Sequence, residues 1–295
     1  MSATNKVISI SDRRPMSSGE TPFGHDIERA RRALSGRFTN LVPHGMAGNA
    51  DTYLASDARG ETVLLNILSD RATSEPHTRE SFFAEARAAA KLTHPNIIST
   101  SEPEEILGVE FYVIEHKRHA RSLHEVLAYE GWLDVTAGSQ IADQIAGALD
   151  YAHQVGALHL RLEPECVLVE PDGWVTVTAF APETGRTRGS RNFKAQYVSP
   201  ELVAGAPVDQ RSDLYSLGAV LYEMLTDRTP YDSDDAEHIR RKQMSDAPSP
   251  PHLISMDVPE SVSAVVMKLL ELEPGKRFRS AAEFQAALDA ATNQM

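Results

Sequence analysis

The chain has 295 residues, 41% of them hydrophobic and 24% charged, an ordinary balance for a globular protein that buries a core. Its 29 Lys and Arg face 42 Asp and Glu, and the formal charge of −13 argues against whole-surface attraction to nucleic acid or anionic membrane. One cysteine, Cys166, rules out an internal disulfide or a cysteine-rich zinc site, and no apolar run approaches the roughly 20 residues of a membrane span. No apolar leader follows Met1, so a cytoplasmic protein is expected.

Residues 1 to about 24, rich in Ser, Thr, Pro and Arg, read as a flexible tail. A short helix is expected at Asp26–Leu34 within a solvated leader that ends near residue 37. Thr52–Ser56 and Thr62–Leu68 read as a hairpin across the turn Asp57–Gly60. Glu80–Leu92 reads as a helix, with Phe82, Phe83 and Ala86 at helical spacing, and Phe111–Ile114 as a further strand. Beyond residue 120 the pattern turns helical. A long amphipathic stretch covers Ala137–Val155. Two short strands, Val167–Val169 and Val175–Val177, flank the turn Asp172-Gly173. Helices are then expected at Ser212–Thr226, Ala236–Met244, Val262–Leu272 and Ala281–Ala291, the last opened by the S-x-x-E capping box of Ser280 and Glu283. The expected class is α+β, a small β-rich lobe with one helix followed by a larger helical lobe.

Several short motifs sit on this framework at consistent spacing. His94-Pro-Asn-Ile97, Ser199-Pro-Glu201, Asp213-Leu-Tyr-Ser-Leu-Gly218 and Arg277 match packing motifs of the eukaryotic-type protein kinase domain in its bacterial Ser/Thr class, and residues 38–292 resemble that family. The resemblance implies an N-lobe over about 38–116, a C-lobe over about 117–292, and a buried pair between Glu201 and Arg277.

The resemblance also marks where the family's chemistry resides, and there the residues differ. Of the glycine-rich loop only Gly45 keeps its place; Ala47 and Ala50 stand at the next two glycines, and Gly48 lies between them. Asn66 replaces the phosphate-binding lysine, with no Lys between Lys6 and Lys91 to substitute, and Leu64 replaces the small residue that faces adenine. Glu85 matches the glutamate that pairs with that lysine; without its partner it is expected to turn outward or to hydrogen-bond Asn66. Arg161 stands for the base aspartate, Glu163 for the lysine that steadies the moving phosphoryl group, Cys166 and Ala179 for the two metal-binding residues. His159 and Phe180 are retained, and Lys194 takes the place of the substrate-loop threonine.

A vestigial nucleotide cleft is assigned to Gly45, Gly48, Leu64, Asn66, Glu85, Ile114, Glu115, Lys117 and Leu168, with Glu115–Lys117 as hinge and the cations Arg118, His119 and Arg121 near its mouth. The resulting expectation is a pseudokinase and not an enzyme. It would be a scaffold or allosteric regulator in phospho-signalling, with no catalytic residue, metal or cofactor, and with an active Ser/Thr kinase or phosphopeptide-reading domain as partner. Thr184, Thr187 and Ser190, among Arg186, Arg188 and Arg191, are candidate phosphorylation sites. The alternatives are a sensor that binds ATP without Mg²⁺ and an unorthodox ATP-dependent Ser/Thr kinase, for which Glu163 and Glu165 are the candidate metal ligands.

Overall fold

A computed structural model describes residues 27–47, 50–69, 76–180, 194–231, 233 and 235–293. Gly48, the tail at 1–24, Ala181 and the segment carrying Thr184, Thr187 and Ser190 lie outside the described residues. Two lobes are present. The first begins with α1 (Ile27–Leu34), then β1 (Thr39–Ala47), β2 (Ala50–Ser56), β3 (Thr62–Leu68), α2 (Pro76–Ala90), β4 (Glu104–Ile106) and β5 (Val109–Glu115). The strands form one antiparallel sheet in the order β1-β2-β3-β5-β4. Its edge strand β1 tolerates Pro43 beside a register shift, as an edge strand can.

The period-two alternation of β3 sends its side chains to two different cores. Leu65 and Ile67 join Tyr53, Phe111 and the apolar side of α1, where Ala30 and Leu34 are fully buried. Leu68 packs on the opposite face with Phe82 of α2. Helix α1 is therefore no solvated leader. It covers one face of the N-lobe sheet, Arg29 Nη2 donates to Gly108 O at 2.8 Å, and the packed unit starts at 27 rather than at 38.

The second lobe continues with β6 (Arg121–Ser122), α3 (Leu123–Glu130), α4 (Val135–Gln154), β7 (Val167–Val169), β8 (Val175–Val177), α5 (Pro200–Ala204), α6 (Gln210–Thr226), α7 (Ala236–Ser245), α8 (Glu260–Leu269) and α9 (Ala281–Thr292). From Ser212 to Thr226 every residue of α6 except Glu223 is buried, and a helix apolar on all sides belongs at the centre of a lobe. A Cβ on Gly218 would lie 2.6 Å from Leu269 Cβ, so glycine sets the approach of α8 to α6. The expected helices all form, with ends shifted by a few residues. Helix α3 is an addition, although Ser122 and Glu125 announce it with a complete capping box. At α9 the box is divided: Ser280 caps Glu283 N–H, while the Glu283 carboxylate accepts from Arg279 N–H.

The packing motifs acquire physical meaning here. Asn96 Nδ2 donates to Val175 O at 2.7 Å, Ile98 N–H donates to Val177 O and Val177 N–H donates to Asn96 O, so the segment after α2 is fastened to the C-lobe. Glu201 and Arg277 form the expected buried pair, Nη1 to Oε1 at 2.7 Å and Nη2 to Oε2 at 2.9 Å. Arg277 spends its remaining donors on the carbonyls of Arg211, Glu271 and Leu272, leaving none unpaired. Burial works to raise the Glu201 carboxyl, but the bonds from Arg277 and Ser212 hold it below the usual range.

Candidate functional site

Several of the positions assigned to the nucleotide cleft fall on the face of the N-lobe sheet opposite α1. Thr52, Asn66 and Tyr112 are cross-strand neighbours on β2, β3 and β5, so one row of side chains crosses that face. Thr52 Oγ1 donates to Asn66 Oδ1 at 2.7 Å, and Asn66 Nδ2 donates to Tyr112 OH at 2.8 Å. Asn66 is buried, and both ends of its amide are committed within the sheet. Tyr112 was missed in the sequence. Only the register, which sets it opposite Asn66, makes it part of the site. Beside this row Leu64 faces Ile114, both half-buried.

Glu85, on α2, does neither of the two things expected of it. It is half-buried rather than turned outward, and Asn66 is occupied by Thr52 and Tyr112. Burial raises its carboxyl above the ordinary value, and the positive charge of Arg161 across the cleft acts the other way.

The catalytic-loop region is anchored from below by α6. Asp213, fully buried, accepts His159 N–H at 2.9 Å on Oδ2 and Leu160 N–H at 2.7 Å on Oδ1. His159 Nε2 bonds Thr178 O at 2.8 Å, its ring lies 4.7 Å from that of Phe180, and burial lowers its basicity; this is a packing histidine. Leu160 at φ 58° and Ala179 at φ 63° both adopt the left-handed region, which side chains of this kind enter only under constraint. These two bends lie beside Arg161 and at Ala179.

At those bends Arg161 and Ala179 are exposed and Cys166 is buried. Cys166 Sγ contacts Arg161 O at 3.4 Å, and burial pushes its thiol up to about 12, so it behaves as a small packing residue. Burial, with the Glu165 charge second, raises the Glu163 carboxyl. Glu165 is ion-paired with Lys194 and lies 3.4 Å from His124 Nδ1, which engages the carboxylate named as a candidate metal ligand. Tyr197 OH donates to Glu223 Oε2 at 2.7 Å nearby. Glu223 was not singled out in the sequence; it is half-buried, while the rest of α6 from Ser212 to Thr226 is buried. Among the described residues no group of three His, Cys, Asp or Glu side chains is arranged to hold a metal ion.

The residues assigned to the hinge begin at Glu115, the last residue of β5. Lys117 Nζ lies 2.9 Å from Glu115 and 3.6 Å from Glu170, so its charge is spent locally, while Arg118 and His119 face solvent. Arg121 is 3.6 Å from Glu130 and lies over the Tyr129 ring. His116 sits edge-on to His44 of β1, ring centres 6.4 Å apart, and the two rings bridge β1 and the hinge. Leu168, half-buried on β7, pairs with Ser122 and Thr176.

Comparison with known proteins now fixes the class. Residues 44–288 match the family model described as protein kinase domain, and the chain belongs to that family. It is 31% identical over 257 residues to a probable serine/threonine-protein kinase of Clostridium acetobutylicum, covering 85% of this chain and 39% of that protein. It is likewise 31% identical over 267 residues to serine/threonine-protein kinase PknB of Mycolicibacterium smegmatis, covering 86% and 43%. The chain thus spans about two fifths of the length of these relatives. The crystal structure of the Mycobacterium tuberculosis PknI kinase domain superimposes with a TM-score of 0.66 at 25% identity, over 86% of this chain and 97% of that one. These matches correct one expectation. The family is one of enzymes and the relatives are named kinases, so the inference that the chain is no enzyme does not stand. No helix among the described residues is long and apolar enough to cross a membrane.

Proposed function

We propose that the chain is a regulatory member of the Ser/Thr kinase family, a scaffold or allosteric partner in phospho-signalling that acts through the protein surfaces it presents. The observation that carries this reading is the contrast at the cleft: strained kinase-like bends are kept at Leu160 and Ala179, while Asn66, Arg161, Glu163, Cys166 and Ala179 occupy the functional positions. The Thr52–Asn66–Tyr112 row then serves to hold the sheet and α2 in one arrangement. An active Ser/Thr kinase or a phosphopeptide-reading domain is the partner class, in the cytoplasm.

A second reading, an ATP-dependent Ser/Thr kinase or nucleotide sensor working by an unorthodox route, is favoured by the names of the relatives. In either case the side chains at the nucleotide positions are Gly45, Leu64, Asn66, Ile114 and the hinge. Thermal shift and calorimetry with ATP, with and without Mg²⁺, test both, together with transfer of labelled γ-phosphate to a generic basic protein. A ligand at 100 times its Kd adds about 2.7 kcal/mol of stability. No heat and no shift at millimolar ATP supports the scaffold. A shift indifferent to Mg²⁺ makes the scaffold nucleotide-gated. Mg²⁺-dependent binding with label transfer overturns the first reading in favour of the second.

A further inference from the structure

Strand β1 is held most loosely where it carries His44. The register runs Pro43 opposite Tyr53 and Gly45 opposite Thr52, so His44 sits at a break in the ladder with no partner on β2. Pro43 beside it has no N–H to give. β1 is also an edge strand, hydrogen-bonded on one side only. Such a break re-aims a side chain out of the regular pleat. Here the His44 ring stands edge-on to His116 of the hinge, with ring centres 6.4 Å apart and planes at 78°. We propose that this histidine pair is an acid-sensitive catch, which holds β1 to the hinge at neutral pH and releases it as the pH falls.

The catch follows from what surrounds His116. Its ring is half-buried, and Nδ1 is buried with no hydrogen-bond partner, so a proton placed there meets no acceptor. The charges that reach the ring are positive, those of His44 on β1 and of Arg118 in the turn that follows. The neighbouring strands supply no carboxylate: His44 is the one titratable side chain of β1, and β3 has none. Glu115, beside His116 in the chain, and Glu170 are both engaged by Lys117. Burial first, then His44 and Arg118, hold the His116 ring below its ordinary 6.5.

At neutral pH the His116 ring is uncharged and accepts the edge-on contact. Once β1 is released the ring is solvated and binds a proton more readily than in the closed arrangement. Closure is therefore favoured above the ordinary value of 6.5 and is lost as the pH falls from there through the lowered one. Two charged rings 6.4 Å apart shift an equilibrium roughly threefold even with the full screening of water. Gly45, the first position assigned to the nucleotide cleft, follows His44 directly, so release loosens that edge of the cleft whether a nucleotide or a protein uses it.

NMR of the histidine rings of the full chain between about pH 5 and 8, with hydrogen exchange followed segment by segment over the same range, tests this. His116 is expected to titrate below 6.5, and His44→Gln and Arg118→Gln are each expected to raise its midpoint. Both substituted residues are exposed, so the variants retain the fold. After allowance for the intrinsic rate, acid is expected to speed exchange in β1 by about threefold or more relative to β3, and His44→Gln to remove that difference. A His116 midpoint at or above 6.5 overturns the proposal, as does a midpoint indifferent to both substitutions. Exchange in β1 that ignores pH, or whose acid response persists in His44→Gln, overturns it equally. None of these readouts uses ATP or a partner protein, so failure of the scaffold reading leaves the catch standing.

Discussion

The anchor of the C-lobe and the cleft between the lobes share one ancestry of backbone but differ in their side chains. Around α6, Glu201, Arg277 and Asp213 have every polar group satisfied and buried, and the residue types are those the fold requires. Across residues 159–166 and 179–180 the chain makes two left-handed bends, with Arg161 and Ala179 exposed. Packing and function are therefore separable constraints on the same loop. Asp213 holds the loop by its backbone amides, so this anchor does not depend on the side chains of His159 and Leu160.

The largest effect that would break this comparison is at the anchor. Arg277→Leu leaves Glu201 buried without its partner, and removing one half of such a pair costs about 3–5 kcal/mol. Urea unfolding should show the midpoint fall accordingly; a shift below about 1 kcal/mol would mean that the pair is not the anchor described here. The cleft should yield less. Asn66→Ala strips Thr52 and Tyr112 of their shared partner, at about 1–3 kcal/mol. A double-mutant cycle with Tyr112→Phe should reveal coupling between the two sites, and strict additivity would deny the row.

A smaller effect sharpens the electrostatic side. Burial raises the folded-state value of Glu85 above its ordinary 4.5. The folded protein therefore holds this proton more tightly than the unfolded chain, and stability declines as pH rises from about the ordinary value of 4.5 through the raised one. Glu85→Gln should stabilise the protein at neutral pH and lose that advantage below the unfolded value, as thermal melts across the range would show. A gain that persists unchanged in acid would locate the effect elsewhere. Smallest of all, the Cys166 thiol should resist a thiol reagent at pH 8 in the native state and react fully once unfolded, because burial holds it near 12. Rapid native labelling would place it at an accessible surface.

The amphipathic periods of the C-lobe helices, the Asp172-Gly173 turn and the packing motifs were legible as written, since each depends on local spacing or on residue types with one physical use. Asn, Arg, Glu, Cys and Ala stand at 66, 161, 163, 166 and 179, and the reading that they leave the cleft without the family's chemistry belongs to the proposed function. Three features required the tertiary structure. Strand register placed Tyr112 beside Asn66, 46 residues apart in the chain. Packing turned the DIERARRAL segment from an apparent leader into a cover for the N-lobe sheet, since its two buried residues find their apolar partners only when the sheet is assembled. The half-buried setting of Glu85, which raises its carboxyl, likewise came only with tertiary packing. Local pattern determined which elements form; long-range contact decided which side chains meet, because distance along the chain carries no information about distance across a folded core.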